Sequence, residues 1–215
     1  AVASLGPDDP NPDLPMTSPS PRRDAVFAAI DAANAADPRL EDGAPVELLY
    51  GQRMTAEQAL LYPEASDPLA IACRGQHIER WTLPRQDYPE GREGYLTWRR
   101  EQGRRHAERV MGLMRDAGYP EPEVEAAGRM LRKEGIKRDA EVQALEDVAC
   151  FTFIRHYLGD FATTQDPDQL LRIVQKTARK MSPAARERFK EVAAATGRQL
   201  SAAATATASA RTRTC

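Results

Sequence analysis

Seven consecutive residues, Val148-Ala149-Cys150-Phe151-Thr152-Phe153-Ile154, are apolar nearly all the way round a helical wheel. A helix with no polar face cannot lie on a surface and must be packed on every side. The segment from roughly 139 to 159 therefore predicts a central helix, with the other elements arranged to enclose it. Those elements read as helices too. No alternating apolar and polar pattern reaches useful strand length, whereas apolar residues recur at helical spacing through most of the chain.

The punctuation divides the chain consistently. Ser20-Pro21 is a cap followed by proline at the first helical position, and Val26, Phe27, Ile30 and Ala33 follow at helical spacing. Asp37-Pro38 and Asp42-Gly43 end that helix in a loop. A second helix is expected over about 45–62 with Leu48, Leu49, Leu60 and Leu61 inward. A third starts at Ser66-Asp67-Pro68 and is expected to run through Trp81. Residues 82–93 read as an irregular loop broken by prolines. A long helix over about 94–117 is stopped by Gly118, and another over 121–134 by Gly135. Asp166-Pro167 and Ser182-Pro183 begin the last two. The expected fold is all-α, a compact orthogonal helical bundle in a single domain over about 20–199. Residues 1–19, with five prolines among Asp and Ser, read as a disordered tail, and 200–215 as a low-complexity Ala/Thr tail.

The formal net charge of -2 gives no global basic field, so neither nucleic acid nor an anionic membrane is an expected partner. No apolar run approaches the ~18 residues that span a bilayer, and no signal peptide pattern is seen. Cys73, Cys150 and Cys215 have no CxxC spacing, which points to a reducing compartment and a cytoplasmic location.

The stretch Cys73-Arg74-Gly75-Gln76-His77-Ile78-Glu79-Arg80-Trp81 concentrates side chains that a mere core helix has no use for. Of the chain's three histidines, His77 shares a four-residue stripe with Cys73 and Trp81. On the long helix Tyr95, Gln102, His106, Leu113 and Ala117 fall within about 40° of one another, so His106 faces inward. Asp147 lies beside Phe151, Ile154 and Leu158 on the central helix. A buried carboxylate there needs a metal, an arginine or an imidazole as partner; Arg74 and Arg80 are the nearest arginine candidates. Inward polar residues on three helices are how bundles build metal or catalytic sites, and imidazole with carboxylate suits a first-row divalent ion. The bland reading is that both histidines are hydrogen-bonded core residues. His156 reads as a surface residue or one that supports a site residue from behind, and Cys73 and Cys150 as small core residues. Arg74 and Arg80 lie within a turn of His77 and are placed to bind phosphate or carboxylate. Phosphate loops, HExxH, GxSxG and Cys/His zinc spacings are absent.

Tyr50-Gly51-Gln52-Arg53-Met54, Arg74 through Trp81, Tyr88-Pro89-Glu90-Gly91-Arg92, Gly94-Tyr95-Leu96, His106-Ala107 and Leu145-Glu146-Asp147-Val148-Ala149 resemble the uncharacterised DUF4202 family over roughly 22–195. That resemblance implies no activity. The order of motifs is also distantly similar to the HD superfamily of all-α, metal-dependent phosphohydrolases. There Gln76-His77-Ile78 matches the His-Asp doublet segment, Asp147 the distal aspartate, and His106 an additional helical histidine. The doublet is altered to Gln76-His77, and Gln52 or Arg53 stands where the opening histidine would be. The matched set carries one negative charge where the family set carries two.

What this resemblance implies is a hydrolase of a phosphorylated or anionic small molecule. His77, His106 and Asp147 would hold a divalent metal, Glu79 or Glu146 would act as general base, and Arg74, Gln76 and Arg80 would contact substrate. Two alternatives stay open: a non-catalytic module that binds an anionic ligand in a degenerate metal site, and a protein-interaction domain in which His77 and His106 are core.

Overall fold

Capping chemistry and burial together account for where the chain turns. The computed structural model describes residues 20–159 and 166–191; the tails expected at 1–19 and 200–215 lie outside the described residues. Ser20 accepts the Arg23 N–H and Pro21 fills the first position of α1, Pro21–Asn34. The Asp42-Gly43 loop then makes a small hairpin, β1 (Leu40–Glu41) antiparallel to β2 (Ala44–Pro45). Both central residues have positive φ, 52° and 80°, the conformation that tight hairpins require and that Asp-Gly supplies. A sequence search for strands misses so short a ladder.

α2 spans Val46–Leu61. Its buried side is Glu47, Gly51, Met54, Glu57 and Gln58, while Leu60 is exposed and Leu48, Leu49 and Leu61 are half-buried. None of the four leucines expected inward is fully buried, and Glu47, Glu57 and Gln58 take much of that face, each with a hydrogen-bond partner. Ser66 caps α3, Asp67–Gly75, which is buried from Pro68 to Cys73 and at Gly75. It ends six residues before Trp81, in turns through a left-handed Glu79 (φ 51°) and a 3-10 turn at Arg80–Thr82. The expected Cys73–His77–Trp81 helical stripe is therefore not formed. A further 3-10 turn, Arg85–Asp87, leads to α4, Gly91–Asp116. α5 spans Glu121–Arg132, and Asp139 caps α6, Ala140–Thr152.

α6 is enclosed as expected, with Ala144–Val148 and Cys150–Thr152 buried. Its continuation differs: Phe153–Tyr157 widens into a π turn in which Phe153 and Ile154 are half-buried. This turn brings Arg155 and His156 onto buried Glu57, at 2.8 and 2.7 Å. Of the two readings of His156, surface or supporting residue, the first does not hold: it is half-buried and paired with Glu57. α7, Pro167–Lys180, is capped by Asp166, and α8 covers residues 183–191. The all-α expectation holds. Among the described residues no helix is long and apolar enough to cross a membrane.

The core runs through Ile30, Met54, Ile71, Val110, Met114, Val124, Leu145 and Val148. α3 passes so close to α1 and α4 that a Cβ on Gly75 would stand 2.5 Å from Val110 Cγ2 and 3.3 Å from Ile30 Cδ1. Val110 is stiff and fully buried, so it cannot swing away. Gly75→Ala is expected to destabilise the fold by about 1–3 kcal/mol through overpacking, measured by urea unfolding; an unchanged midpoint would refute this packing account.

Candidate functional site: a cationic cavity beside two histidines

The turn that follows α3 carries most of the site, and three buried polar side chains fix it. Asn34, at the end of α1, donates to the Glu47 carbonyl (3.3 Å) and accepts the Glu79 N–H (2.9 Å). From α4, Trp98 Nε1 donates to the Leu83 carbonyl at 3.0 Å. Gln102 Nε2 donates to the carbonyls of Arg80 and Leu83, each at 3.1 Å. Irregular backbone needs such partners when it is taken from water. Trp98, Gln102, His106 and Val110 form the inward stripe of α4 at four-residue spacing, whereas Tyr95 is exposed.

His77 lies in this turn with its ring stacked on Tyr50, centroids 3.8 Å apart and planes 10° from parallel. Its Nδ1 is 3.1 Å from Glu47 Oε2. Glu47 Oε1 accepts from Arg39 at 2.8 Å, and the Glu47 N–H donates to Asp37, which Arg39 also grips. Burial alone would raise the Glu47 carboxyl. Its hydrogen bonds to His77 and Arg39 and the charge of Arg80 outweigh burial and hold it below the usual carboxylate range. Burial pulls the His77 imidazole down to about 4 in spite of Glu47, and Arg80 adds to the effect. At neutral pH the pair is thus a carboxylate and a neutral imidazole. Gln76 accepts from the Tyr50 hydroxyl at 3.2 Å.

His106 packs near His77, with ring centroids 6.1 Å apart. It is buried, and burial first, then the charges of its neighbours, hold its pKa well below the ordinary value. Its Nε2 is buried without any hydrogen-bond partner. Both histidines line a cavity of about 660 Å³, together with Gln76, Arg80 and Gln102. The rest of its wall, among the described residues, comes from Tyr95, Leu96, Arg99, Arg100 and Gly103 of α4, from Leu131–Lys133 at the end of α5, and from Lys176 and Lys180 of α7. Among the described residues no carboxylate lines it.

The structure brings together some expected site residues and separates others. His77, His106, Gln76 and Arg80 share the cavity; Asp147 does not line it. Both Asp147 oxygens are engaged elsewhere: Oδ2 accepts from Tyr62 at 2.6 Å, and Oδ1 from Gln143 at 2.9 Å and the Ser182 N–H at 2.7 Å. Three neutral donors satisfy it, neither a metal nor an arginine. Arg74 is turned away onto Asp31 (2.7 Å) and over Phe27. Glu79 pairs with Arg109 at 3.3 Å and lines a smaller cleft on the other side of His106. Glu146 is buried and paired with Lys133 and, at 3.5 Å, Lys180. Burial would raise it, but these charges win and hold it low, which makes it a poor base. The expected metal set therefore does not fit. Among the described residues no three His, Cys, Asp or Glu side chains are placed to hold one ion.

Sequence reasoning missed Glu47, Tyr50, Lys176 and Lys180. Glu47 was readable: it shares the 47–51–54–58 helical spacing with Gly51 and Met54, so a carboxylate stood on the inward face of α2.

Fold and site together define an all-α domain built round a cationic cavity with two neutral imidazoles in its wall. The chain belongs to the family described as Domain of unknown function (DUF4202), whose model matches residues 24–201. No curated protein and no solved structure matches the chain.

Two outcomes follow. Removing the Asp147 carboxylate by Asp147→Ala strands three donors and is expected to cost about 2–3 kcal/mol, read by urea unfolding. A cost below about 0.5 kcal/mol would contradict its three-bond role. Both cavity imidazoles titrate lower in the folded chain than at the unfolded value of about 6.5. The unfolded chain therefore takes up protons first as pH falls. Stability should be full above about 6.5 and decline towards pH 4, by on the order of 2 kcal/mol. His77→Gln should flatten part of that slope in a pH series of unfolding curves.

Proposed function

We propose that the protein binds a phosphorylated or otherwise anionic small molecule in this cavity. The observation that carries the reading is the charge state of the wall. Among the described residues seven lining side chains are Lys or Arg and none is acidic. Arg132, Lys133 and Lys180 are paired with carboxylates outside the cavity. Arg80, Arg99, Arg100 and Lys176 make no ion pair among the described residues.

Arg80 is the decisive member. It is half-buried over the face of Trp98, 4.7 Å from the ring centroid. Burial lowers its pKa, Glu47 opposes this from beyond salt-bridge reach, and Arg99 adds to the lowering. A guanidinium taken partly from water without a contacting anion is costly. A phosphate in the cavity supplies that anion, and the arginine fork matches its oxygens. Tyr95 and Leu96, both exposed at the wall, offer an apolar surface to the rest of the molecule. Metal-assisted hydrolysis has no such support, because the ligand set does not converge. The reading is therefore one of anion recognition, with Glu47–His77 as a fixed polar pair beside the bound group.

The test is calorimetry and thermal unfolding of the full chain with phenyl phosphate and, as the uncharged control, phenol. Phenyl phosphate should bind and raise the melting temperature, with affinity falling as salt rises; phenol should do neither. The double change Arg80→Gln with Arg99→Gln should weaken binding by tenfold or more, a loss of about 1.4 kcal/mol. Arg115→Gln, at the far end of α4, should leave it unchanged. Equal binding of phenol, or no effect of the double change, would refute the proposal.

A further inference from the structure

An anion held in the cavity lies beside a nitrogen base that the fold has already oriented. Glu47 Oε2 and His77 Nδ1 are 3.1 Å apart. An ionised carboxylate only accepts, so the proton between them stands on Nδ1, and Nε2 keeps its lone pair. Tyr50, stacked on the ring with centroids 3.8 Å apart, fixes its plane. Nε2 makes no hydrogen bond among the described residues, yet it is not enclosed as His106 Nε2 is. The His77 side chain is 23% exposed, and the space it opens onto is the cavity whose wall it forms. Glu47 stands outside that wall, so it holds the ring without meeting an incoming anion. Glu79 and Glu108 border a neighbouring cleft in whose wall His77 takes no part. An accessible lone pair, a ring held from behind by a carboxylate and arginines in the same wall are the parts of a nucleophile aimed at phosphorus.

We propose that His77 Nε2 accepts a phosphoryl group from a phosphorylated molecule bound in the cavity. This rests on the anion-binding reading and adds a reaction to it. The Nε2 lone pair forms the N–P bond as the bond from phosphorus to the leaving oxygen breaks. That oxygen departs with the electron pair. The ring keeps its Nδ1 proton and becomes a cation. Glu47, at hydrogen-bond distance, stabilises that cation more than it stabilised the neutral ring, so its help grows as the reaction proceeds. Glu47 is thus a positioning residue that acts through His77. Arg80 and Arg99, in the same wall, neutralise the phosphoryl oxygens. Burial keeps the ring neutral at pH 7, the form that can attack. Among the described residues no carboxylic acid lines the cavity to protonate a leaving oxygen. The donor is therefore a compound whose leaving group is stable as an anion: an acyl phosphate, a phosphoanhydride or an aryl ester.

The probe is p-nitrophenyl phosphate, whose phenolate leaves without help from an acid. The full chain is mixed with it and quenched at short times in alkali, where an N–P bond survives, and its peptides are mapped by mass spectrometry. A single phosphoryl group should appear on His77, with an early, stoichiometric release of nitrophenolate. Acid should remove the label, as it does from nitrogen and not from a serine, threonine or tyrosine ester. His77→Gln should lose label and release while still binding phenyl phosphate by calorimetry. His156→Gln, whose ring lies on Glu57, should label normally. Glu47→Gln should keep its binding of phenyl phosphate but label about a hundredfold more slowly. Circular dichroism establishes that this variant is folded; if it is not, the wild-type map and His77→Gln decide alone. Binding without release of nitrophenolate, label on another residue, release unchanged in His77→Gln, or undiminished labelling of a folded Glu47→Gln overturns the inference and leaves anion binding standing. Failure of both phenyl and nitrophenyl phosphate to bind overturns both.

Discussion

The site depends on one buried carboxylate. Glu47 is 3% exposed, and each of its oxygens is committed, one to Arg39 and the other to His77. Its own backbone completes the knot: the N–H donates to Asp37, and the carbonyl accepts from Asn34, which in turn holds the Glu79 N–H. The end of α1, the loop leading into the hairpin, the start of α2 and the turn after α3 therefore meet on a single residue. A buried charge persists only when such partners are complete, and loss of any one leaves a charge stranded. That explains why an irregular turn can carry His77 and Arg80 with fixed geometry. The turn has no ladder of its own, and its rigidity is borrowed from side chains on three other elements.

With the turn fixed, the sorting of cations follows. Those at the cavity's far wall are neutralised from behind, Arg132 by Glu125 and Glu134, and Lys133 by Glu146. Those nearest the histidines are not, and no carboxylate of α4 lines the cavity; two of them, Glu101 and Glu108, are taken by Arg104. A net-negative chain thus presents a locally positive concavity. The whole-chain charge argued correctly against a global basic field, and it was silent on a local one, because charge balance summed over a chain carries no position.

The helices were legible because their signals are local. Serine and aspartate caps, proline at first positions and apolar spacing act over one or two turns, and α1, α4, α6 and α7 begin within three residues of where those signals place them. The end of α3 was not legible. Apolar spacing continues to Trp81, yet the helix stops at Gly75 because Asn34, Trp98 and Gln102, all distant in sequence, offer the following backbone better partners. The same holds for the site. His106 was readable from its wheel position, while Lys176 and Lys180 reach the cavity through the placement of α7, which no local spacing encodes.

Asp147 shows how a correct sequence signal and a mistaken role can coexist. An aspartate on an enclosed helix must have partners, and it does. They do not form an ion site; they hold α7 and its exit. Oδ1 takes the Ser182 N–H just beyond α7 and fixes Gln143, whose amide donates to the Lys180 carbonyl at 2.9 Å. The carboxylate therefore pins the C-terminal end of α7 against α6, and that end bears Lys180, with Lys176 one turn before it. Glu146, the next residue, draws Lys133 and Lys180 together from the same helix. Two adjacent acids on α6 thus position part of the cavity's positive wall without facing its contents. Asp147 thus contributes to the site at one remove, through the backbone it anchors.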